Sequence, residues 1–310
     1  MMNMNKAFSS QLHSSEFQQQ LTHIVKQVMA DADIKAFLQQ HPDLSQDDVL
    51  QSLSQLLEYI TQRDRLKKGI PTVAPGYAPR LAVHEKHIVV SYVPTQQLVD
   101  QINNEKLLKR ITTIDMPADI KHATFNEYQK GAATRFAALH ATMQFANNYL
   151  KDPHVYHRGL YLYGPFGVGK TYLMGALSRY LAENDCRSTL VHMPTFNVEI
   201  KNAINSHGVM KRLNAIKRVP LLILDDIGAD TMSPWIRDEV LGVILQYRMQ
   251  EHLSTFFTSN LTMTELATHL AYSAQGDSEP IKAQRIMERI KFLAQEIMID
   301  GPDRRFNQNS

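Results

Sequence analysis

The chain has 310 residues, enough for one large domain or two, and 44% hydrophobic with 21% charged residues is the balance of an ordinary soluble globular protein. With 33 basic and 31 acidic residues the net charge is +2, which excludes nucleic-acid binding by bulk electrostatics and leaves it to a local patch. The single cysteine, Cys186, excludes a disulfide framework and a thiolate zinc cluster and points to a reducing cytoplasmic setting, and no stretch approaches the ~18–20 apolar residues that span a bilayer.

The N-terminal residues lack the apolar core of a secretory signal. Residues 14–60 are predicted helical. Phe17, Leu21, Ile24, Val25 and Val28 recur at helical spacing, and Ile34, Phe37 and Leu38 continue the pattern to a break at His41-Pro42. Ser45 to Asp48 reads as a capping box that opens a second helix with Val49, Leu50, Leu53, Leu56, Leu57 and Ile60 on one face. The glycines and prolines of 61–82 predict an exposed, turn-rich segment, and the β-branched run 83–93 predicts a strand. Gln96 to Arg110 is again helix-like. Residues 1–110 are thus expected to form a small, mainly helical α+β domain, joined by a linker at 111–125 to a second domain at 126–310. In that second part short apolar strands alternate with helices, as in a parallel α/β sheet: Leu160–Tyr163, Thr189–His192, Leu221–Leu224, Thr255–Ser259 and Glu296–Ile299.

The chemistry concentrates in this second part. Residues 164–171 read GPFGVGKT, a strand-to-helix phosphate loop. Gly164, Pro165, Phe166, Gly167, Val168 and Gly169 let backbone N–H groups turn toward phosphate oxygens, Lys170 reaches the β- and γ-phosphates, and Thr171, followed by Tyr172, opens the helix and can bind Mg²⁺. The run LLILDD at 221–226 is a buried strand ending in two carboxylates. Asp225 is expected to hold Mg²⁺ with Thr171, and Asp226 to orient or deprotonate an attacking water. In FFTSN at 256–260, Asn260 fits either a contact to the γ-phosphate or water, provided its strand lies between the other two, or the capping of a turn before Thr262. Around 284–291, arginines suit an anionic phosphate, although spacing alone also describes a solvated helix face. Lys201, Lys211, Arg212, Lys217 and Arg218 could follow the backbone of a single strand of DNA, with Phe196 near their start stacking on a base, or the stretch could be a solvated helix face.

Together GPFGVGKT, LLILDDIGAD at 221–230, TSN at 258–260 and RIMERI at 285–290 resemble the AAA+ ATPases and, more closely, the bacterial helicase loaders of the DnaI and DnaC type. The resemblance implies an α/β fold with a C-terminal AAA+ domain, a parallel sheet flanked by helices. It implies roles for Lys170 and Thr171 (Walker A), Asp225 and Asp226 (Walker B), Asn260 (sensor 1) and Arg289 (an arginine finger acting on a neighbouring subunit), with Arg304 or Arg305 near the sensor-2 position. It also implies ATP and Mg²⁺ as cofactors and a weak, regulated ATPase. The implied partners are the hexameric replicative DNA helicase on the N-terminal domain, single-stranded DNA on the AAA+ domain, other primosomal proteins and ATP-dependent self-association. One departure is clear: loaders of this kind can carry an N-terminal zinc site, but residues 1–110 contain no cysteine, and His84 and His87 make an incomplete site, so no zinc is expected. Two other uses of such a core stand beside loading. A transposition helper would use its N-terminal module on a transposase, and a small-molecule kinase would need a lid and an acceptor pocket. An initiator is expected to add a helix-turn-helix domain, for which the residues up to Ser310 leave no room.

Overall fold

The computed structural model describes residues 15–128, 133–204, 208–272 and 278–304, with side chains described from residue 22 onward. Arg305 and the side chains of Phe17 and Leu21 lie outside the described residues. Internal contacts divide the chain into two compact units, 1–103 and 104–310.

The first unit begins with helices α1 (Ser15–Ala30), α2 (Ala32–Gln40), α3 (Gln46–Gln51) and α4 (Leu53–Lys67). The helical run therefore breaks at three places rather than one. At the first break, the Asp31 carboxylate accepts from the N–H groups of Asp33 and Ile34 and also binds Arg63 at 2.8 Å, which holds its carboxyl below the usual carboxylate range. The capping box at the start of α3 is present, Ser45 accepting from the Asp48 N–H and Asp48 from the Ser45 N–H. At the third break, the buried Ser52 hydroxyl donates to Asp48 O and accepts from Ile88 N–H at 3.0 Å, so it stitches helix to hairpin. Val28, Ile34, Leu56 and Ile88 form the centre of this unit's core.

The expected single strand at 83–93 is an antiparallel hairpin, β1 (Tyr77–His84) and β2 (His87–Pro94). Glu85 and Lys86 at its tip both take left-handed backbone angles, the geometry of a two-residue hairpin turn. The strand reaches back into the segment read as turn-rich, because a two-stranded ribbon has only edges and accepts Pro79 there. His84 and His87 are register partners beside the tip, and no group of three or more potential metal ligands gathers among the described residues.

Helix α5 (Gln96–Leu108) contains the division between units. In the second unit, the stretch expected as a linker instead supplies β3 (Ile111–Ile114), a β-branched strand on the sheet's edge, and a 3-10 turn at Ala118–His122. Then follow α6 (Ala133–Lys151), β4 (Gly159–Tyr163), α7 (Lys170–Glu183), β5 (Ser188–His192), α8 (Met193–Ala203), α9 (Val209–Lys217) and β6 (Leu221–Asp225). A π-helical turn (Ile236–Leu241) leads to α10 (Gly242–Gln250), β7 (Thr255–Ser259), α11 (Met263–Ala271), α12 (Pro280–Leu293) and β8 (Ala294–Met298). The six strands run parallel in the order β3-β5-β6-β7-β4-β8. Every residue of β6 and β7 is buried, as helices covering both faces of a parallel sheet require. One apolar core under α8 to α12 lies on one face; the other, under α6 and α7, lies on the opposite face. No helix among the described residues is long and apolar enough to cross a membrane.

The ends of β6 and β7 remote from the loop 164–169 are tied by Arg248. This fully buried side chain donates to Lys217 O, Val219 O, Ser254 O and the Thr255 hydroxyl at 2.7–3.1 Å, while burial lowers its pKa. Replacing Arg248 with Met fills the volume but leaves buried acceptors unpaired. The expected outcome is a loss of about 3 kcal/mol or more in urea unfolding of the second unit.

Candidate nucleotide-binding site

β4 delivers the chain into the loop 164–169, and α7 begins at Lys170. Gly164 takes φ 146°, and a Cβ there would collide with Ile299 O on the adjoining strand connection; Gly169 takes φ 92° at the helix N-cap. Only glycine satisfies both positions, so the spacing of this motif follows from backbone geometry. Lys170 is buried, and its ammonium donates to Gly164 O and Pro165 O, both at 2.8 Å, and to Asn260 Oδ1 at 2.7 Å.

β7 does lie between β6 and β4, which brings the three strand tips together. Asp225 ends β6, with Oδ1 accepting from the Thr171 hydroxyl at 2.8 Å and the Thr258 hydroxyl at 2.6 Å. Burial raises its pKa above the ordinary aspartate value, and the two hydroxyl bonds oppose that rise. Asp226 turns out of the strand with φ 60°, held by its N–H on the Thr258 hydroxyl at 2.9 Å. Its carboxylate accepts from Asn260 Nδ2 at 3.3 Å. The Asn260 amide thus spans Lys170 and Asp226, while the capping alternative is taken by Thr262, which makes a capping box with Glu265.

A cavity of about 970 Å³ opens over these groups, lined by Phe166, Gly167, Gly169, Lys170, Thr171, Tyr172, Asp225, Asp226 and Asn260. Phe166 is exposed, and Arg304, which also lines the cavity, donates its backbone N–H to Gly167 O at 3.2 Å. Pro165 and Val168 shape the loop from outside the cavity wall, with Val168 fully buried.

Further lining residues were not singled out by sequence. Thr258 carries the bridge between the two aspartates; the sequence places it in the run TSN at 258–260 but gives it no role of its own. Tyr128 and Arg135 pack against Gly169, the guanidinium 4.4 Å over the Tyr128 ring, with burial raising the tyrosine's pKa and lowering the arginine's. Glu127, His192 and Thr195 come from segments that carry no motif, so nothing local marked them.

Arg289 stands apart. On α12 its guanidinium donates to Gly242 O at 2.8 Å, and with Arg285, Glu288, Lys291, Met249 and Phe292 it lines a separate cavity of about 580 Å³. Phe196 is in the core, only 1% exposed, and cannot stack on a base; Tyr247, under Lys217 and Arg218, is the aromatic beside the basic stretch. Arg212 pairs with Glu199, while Lys201 and Lys211 are exposed.

Residues 1–92 match a family model described as the N-terminus of primosomal protein DnaI, and residues 120–272 match one described as the bacterial DnaA ATPase domain. The replicative helicase loader DnaI of Bacillus subtilis is 37% identical over 298 residues, 94% of each chain. This chain belongs to the DnaI family. A crystal structure of DnaI is 42% identical, with TM-score 0.57, and covers 62% of this chain and 98% of its own. The DnaC helicase loader, at 23% identity and TM-score 0.51 over 59% of this chain and 100% of its own, shares the fold. The second unit is therefore an AAA+ ATP-binding domain, and residues 120–272 of it match the DnaA ATPase model.

The raised pKa of Asp225 gives a stability prediction. The folded state holds this proton more tightly than the unfolded chain, so the group's contribution to stability falls as pH rises through its unfolded value of 3.8 toward the folded one. Asp225→Asn keeps an acceptor for both hydroxyls without the buried charge. Without nucleotide, its melting temperature at neutral pH is expected to exceed the parent's by a few degrees, about 2–4 °C per kcal/mol, and differential scanning calorimetry checks this.

Proposed function

We propose that this protein is an ATP-switched loader of the replicative DNA helicase in primosome assembly. The observation that carries this reading is that the similarity to a replicative helicase loader runs through both units at 94% of each chain, with the phosphate-site residues in contact across three strand tips. In this reading the first unit holds the hexameric helicase, and the second binds ATP and meets single-stranded DNA along Lys201, Lys211, Lys217 and Arg218. The chain also meets other primosomal proteins in the cytoplasm, and its self-association follows ATP binding.

The loop 164–169 and the first two residues of α7, Lys170 and Thr171, bind the phosphates, with Lys170 on the β- and γ-phosphates and Tyr172 on the wall of the same cavity. Thr171 and Asp225 are an oxygen pair that suits Mg²⁺, their two oxygens 2.8 Å apart, and they would hold it. The ion supplies charge neutralisation on the phosphate oxygens. Asp226 accepts a proton from, or orients, the attacking water, and Asn260 senses the γ-phosphate because its amide already bonds both Lys170 and Asp226. Arg289 lies outside the phosphate cavity of its own chain, which agrees with action on a neighbour's nucleotide.

Hydrolysis by the isolated chain is slow on this reading. Arg289→Ala is expected to lower assembly-stimulated turnover by roughly 10³-fold or more while leaving ATP affinity within about twofold, and steady-state turnover beside equilibrium binding reads both. An equal loss of affinity would place Arg289 in its own subunit's site.

Light scattering after size-exclusion chromatography tests the loader reading itself. The full chain is mixed with the same organism's replicative helicase, with and without ATP. A stable complex is expected, and Lys170→Ala should remove only its dependence on ATP. No complex under either condition overturns the reading.

A further inference from the structure

Helix α6 differs from the other helices that cover the sheet. Its residues 136–150 include no Asp, Glu, Lys or Arg. By contrast, α7 carries Arg179 and Glu183, α8 carries Glu199 and Lys201, and α12 carries Lys282, Arg285, Glu288 and Lys291. One stripe of α6, with Ala138, Leu139, Phe145 and Tyr149, is buried. The outer stripe is not charged in return. Phe136 is 55% exposed and Met143 40%, and between them Ala137 and His140 are also exposed, the Phe136 and His140 rings stacked at 6.5 Å. A helix that is apolar on its outer side as well as its inner one is the kind that a further layer covers.

α6 packs on α7, β4 and β8, and β8 ends the sheet, bonded to β4 alone among the described residues. The residues of β8 include no Pro, Lys or Arg, and their single charge, Glu296, accepts from the Met263 N–H at 2.6 Å. The opposite edge, β3, is shorter and is bounded by Arg110 and Asp115. Charges and short strands guard a free edge, because an open row of N–H and C=O groups pairs readily with a second strand. β8 has little of this protection.

We propose that two copies of this chain pair through α6 and β8 about a two-fold axis normal to the sheet, β8 antiparallel to β8 and α6 antiparallel to α6. Spacing supports this arrangement. Neighbouring strands stand about 4.8 Å apart, so the axis lies about 2.4 Å from β8 and about 7.2 Å from β4. α6 touches both strands, which sets it about 5 Å from the axis and about 10 Å from its copy, the distance at which helices pack. Charge supports it too. A two-fold axis sets a face against itself, so any net charge there would repel, and residues 136–150 have no formal charge. Helices crossing at His140 would place Met143 against the small Ala137 of the second copy. A helix face about 18 Å long and a strand edge of similar length are small beside the ~800 Å² per partner of a standard interface, so dissociation in the micromolar range is expected. The contact closes at two copies and uses neither Arg289 nor the loop 164–169.

Sedimentation velocity of the full chain without nucleotide, from low to high micromolar, tests it. A monomer–dimer equilibrium is expected. Phe136→Glu and Met143→Glu should each weaken the dimer at least about tenfold, because every change enters the contact twice. Both positions are exposed, so the far-ultraviolet circular dichroism of each variant should match the parent's and show that it folds. Arg289→Ala should leave the dimer intact. Amide hydrogen exchange in the unaltered chain should slow at 294–298 as concentration rises, a readout that needs no variant. A chain that stays monomeric over the whole range overturns the proposal. So does a dimer that survives both glutamate variants, that Arg289→Ala abolishes, or that leaves exchange at 294–298 unchanged, because the contact would then lie elsewhere.

Discussion

The candidate site depends on the hydrogen-bonded register of three neighbouring strands. β7 pairs with β6 on one side and β4 on the other, so the tips carrying Asp225, Thr258 and the phosphate loop end at one level. A one-residue slip of β7 against β6 would turn Thr258 from one sheet face to the other and break both of its bonds to the aspartates. What fixes the register is burial on both faces. Tyr161, Leu222, Leu224 and Phe257 belong to one core, and Leu160, Leu162, Ile223 and Phe256 to the other. Every slip would therefore exchange side chains between two packed layers that already match them.

The polar groups at these tips satisfy one another. Lys170 bonds two loop carbonyls and Asn260, Asn260 reaches Asp226, and Thr258 spans Asp226 and Asp225, which Thr171 also contacts. Six residues from three segments are thus connected through hydrogen bonds of 2.6–3.3 Å. Any change in the partners of Lys170 alters the surroundings of Asp226 two bonds away, because the Asn260 amide joins them. In a low-dielectric site such a chain is stiff and each member's position depends on the next. The raised pKa of Asp225 shows the cost of assembling it: burial opposes the carboxylate's charge more than its two hydroxyl bonds support it.

Much of this was legible in the sequence because it is local. The glycine positions of 164–169 follow from backbone angles, the carboxylates of 225–226 from their place after four apolar residues, and the capping box at Ser45 from two side chains three residues apart. Three kinds of feature were not legible. Edge strands such as Ile111–Ile114 gain their identity only from a partner 77 residues away, Ile111 lying opposite Ser188. The hairpin at 77–94 hid behind Pro79 and a Glu-Lys tip that lacks the usual glycine or asparagine. The wall of Glu127, Tyr128 and Arg135 has no motif, since its meaning lies in packing against Gly169 and Tyr172. Phe196 shows the reverse error. Its place beside basic residues suggested stacking on a base, but a helix that covers a sheet must bury one stripe, and Phe196 falls on it with Met193 and Ile200.

Arg289 shows what a single chain leaves unfinished. It is half-buried on α12 and held at one guanidinium nitrogen by Gly242 O, and its pKa is lowered by desolvation and by Arg285 one turn earlier. Two like charges at that helical spacing destabilise each other slightly. The nearby acid, Glu288, is exposed and engaged with Lys291 at 3.5 Å. An anion that approached from outside the chain would offset this penalty. On the loader reading that anion is the polyphosphate on a second copy, so a local electrostatic penalty in the monomer becomes a driving force for assembly. Its strength would then depend on whether the neighbour's nucleotide still carries the γ-phosphate, and an ATP-bound neighbour would be gripped more firmly than one holding ADP. The same guanidinium would thereby serve both as a catalytic group and as the element that ties subunit contact to nucleotide state.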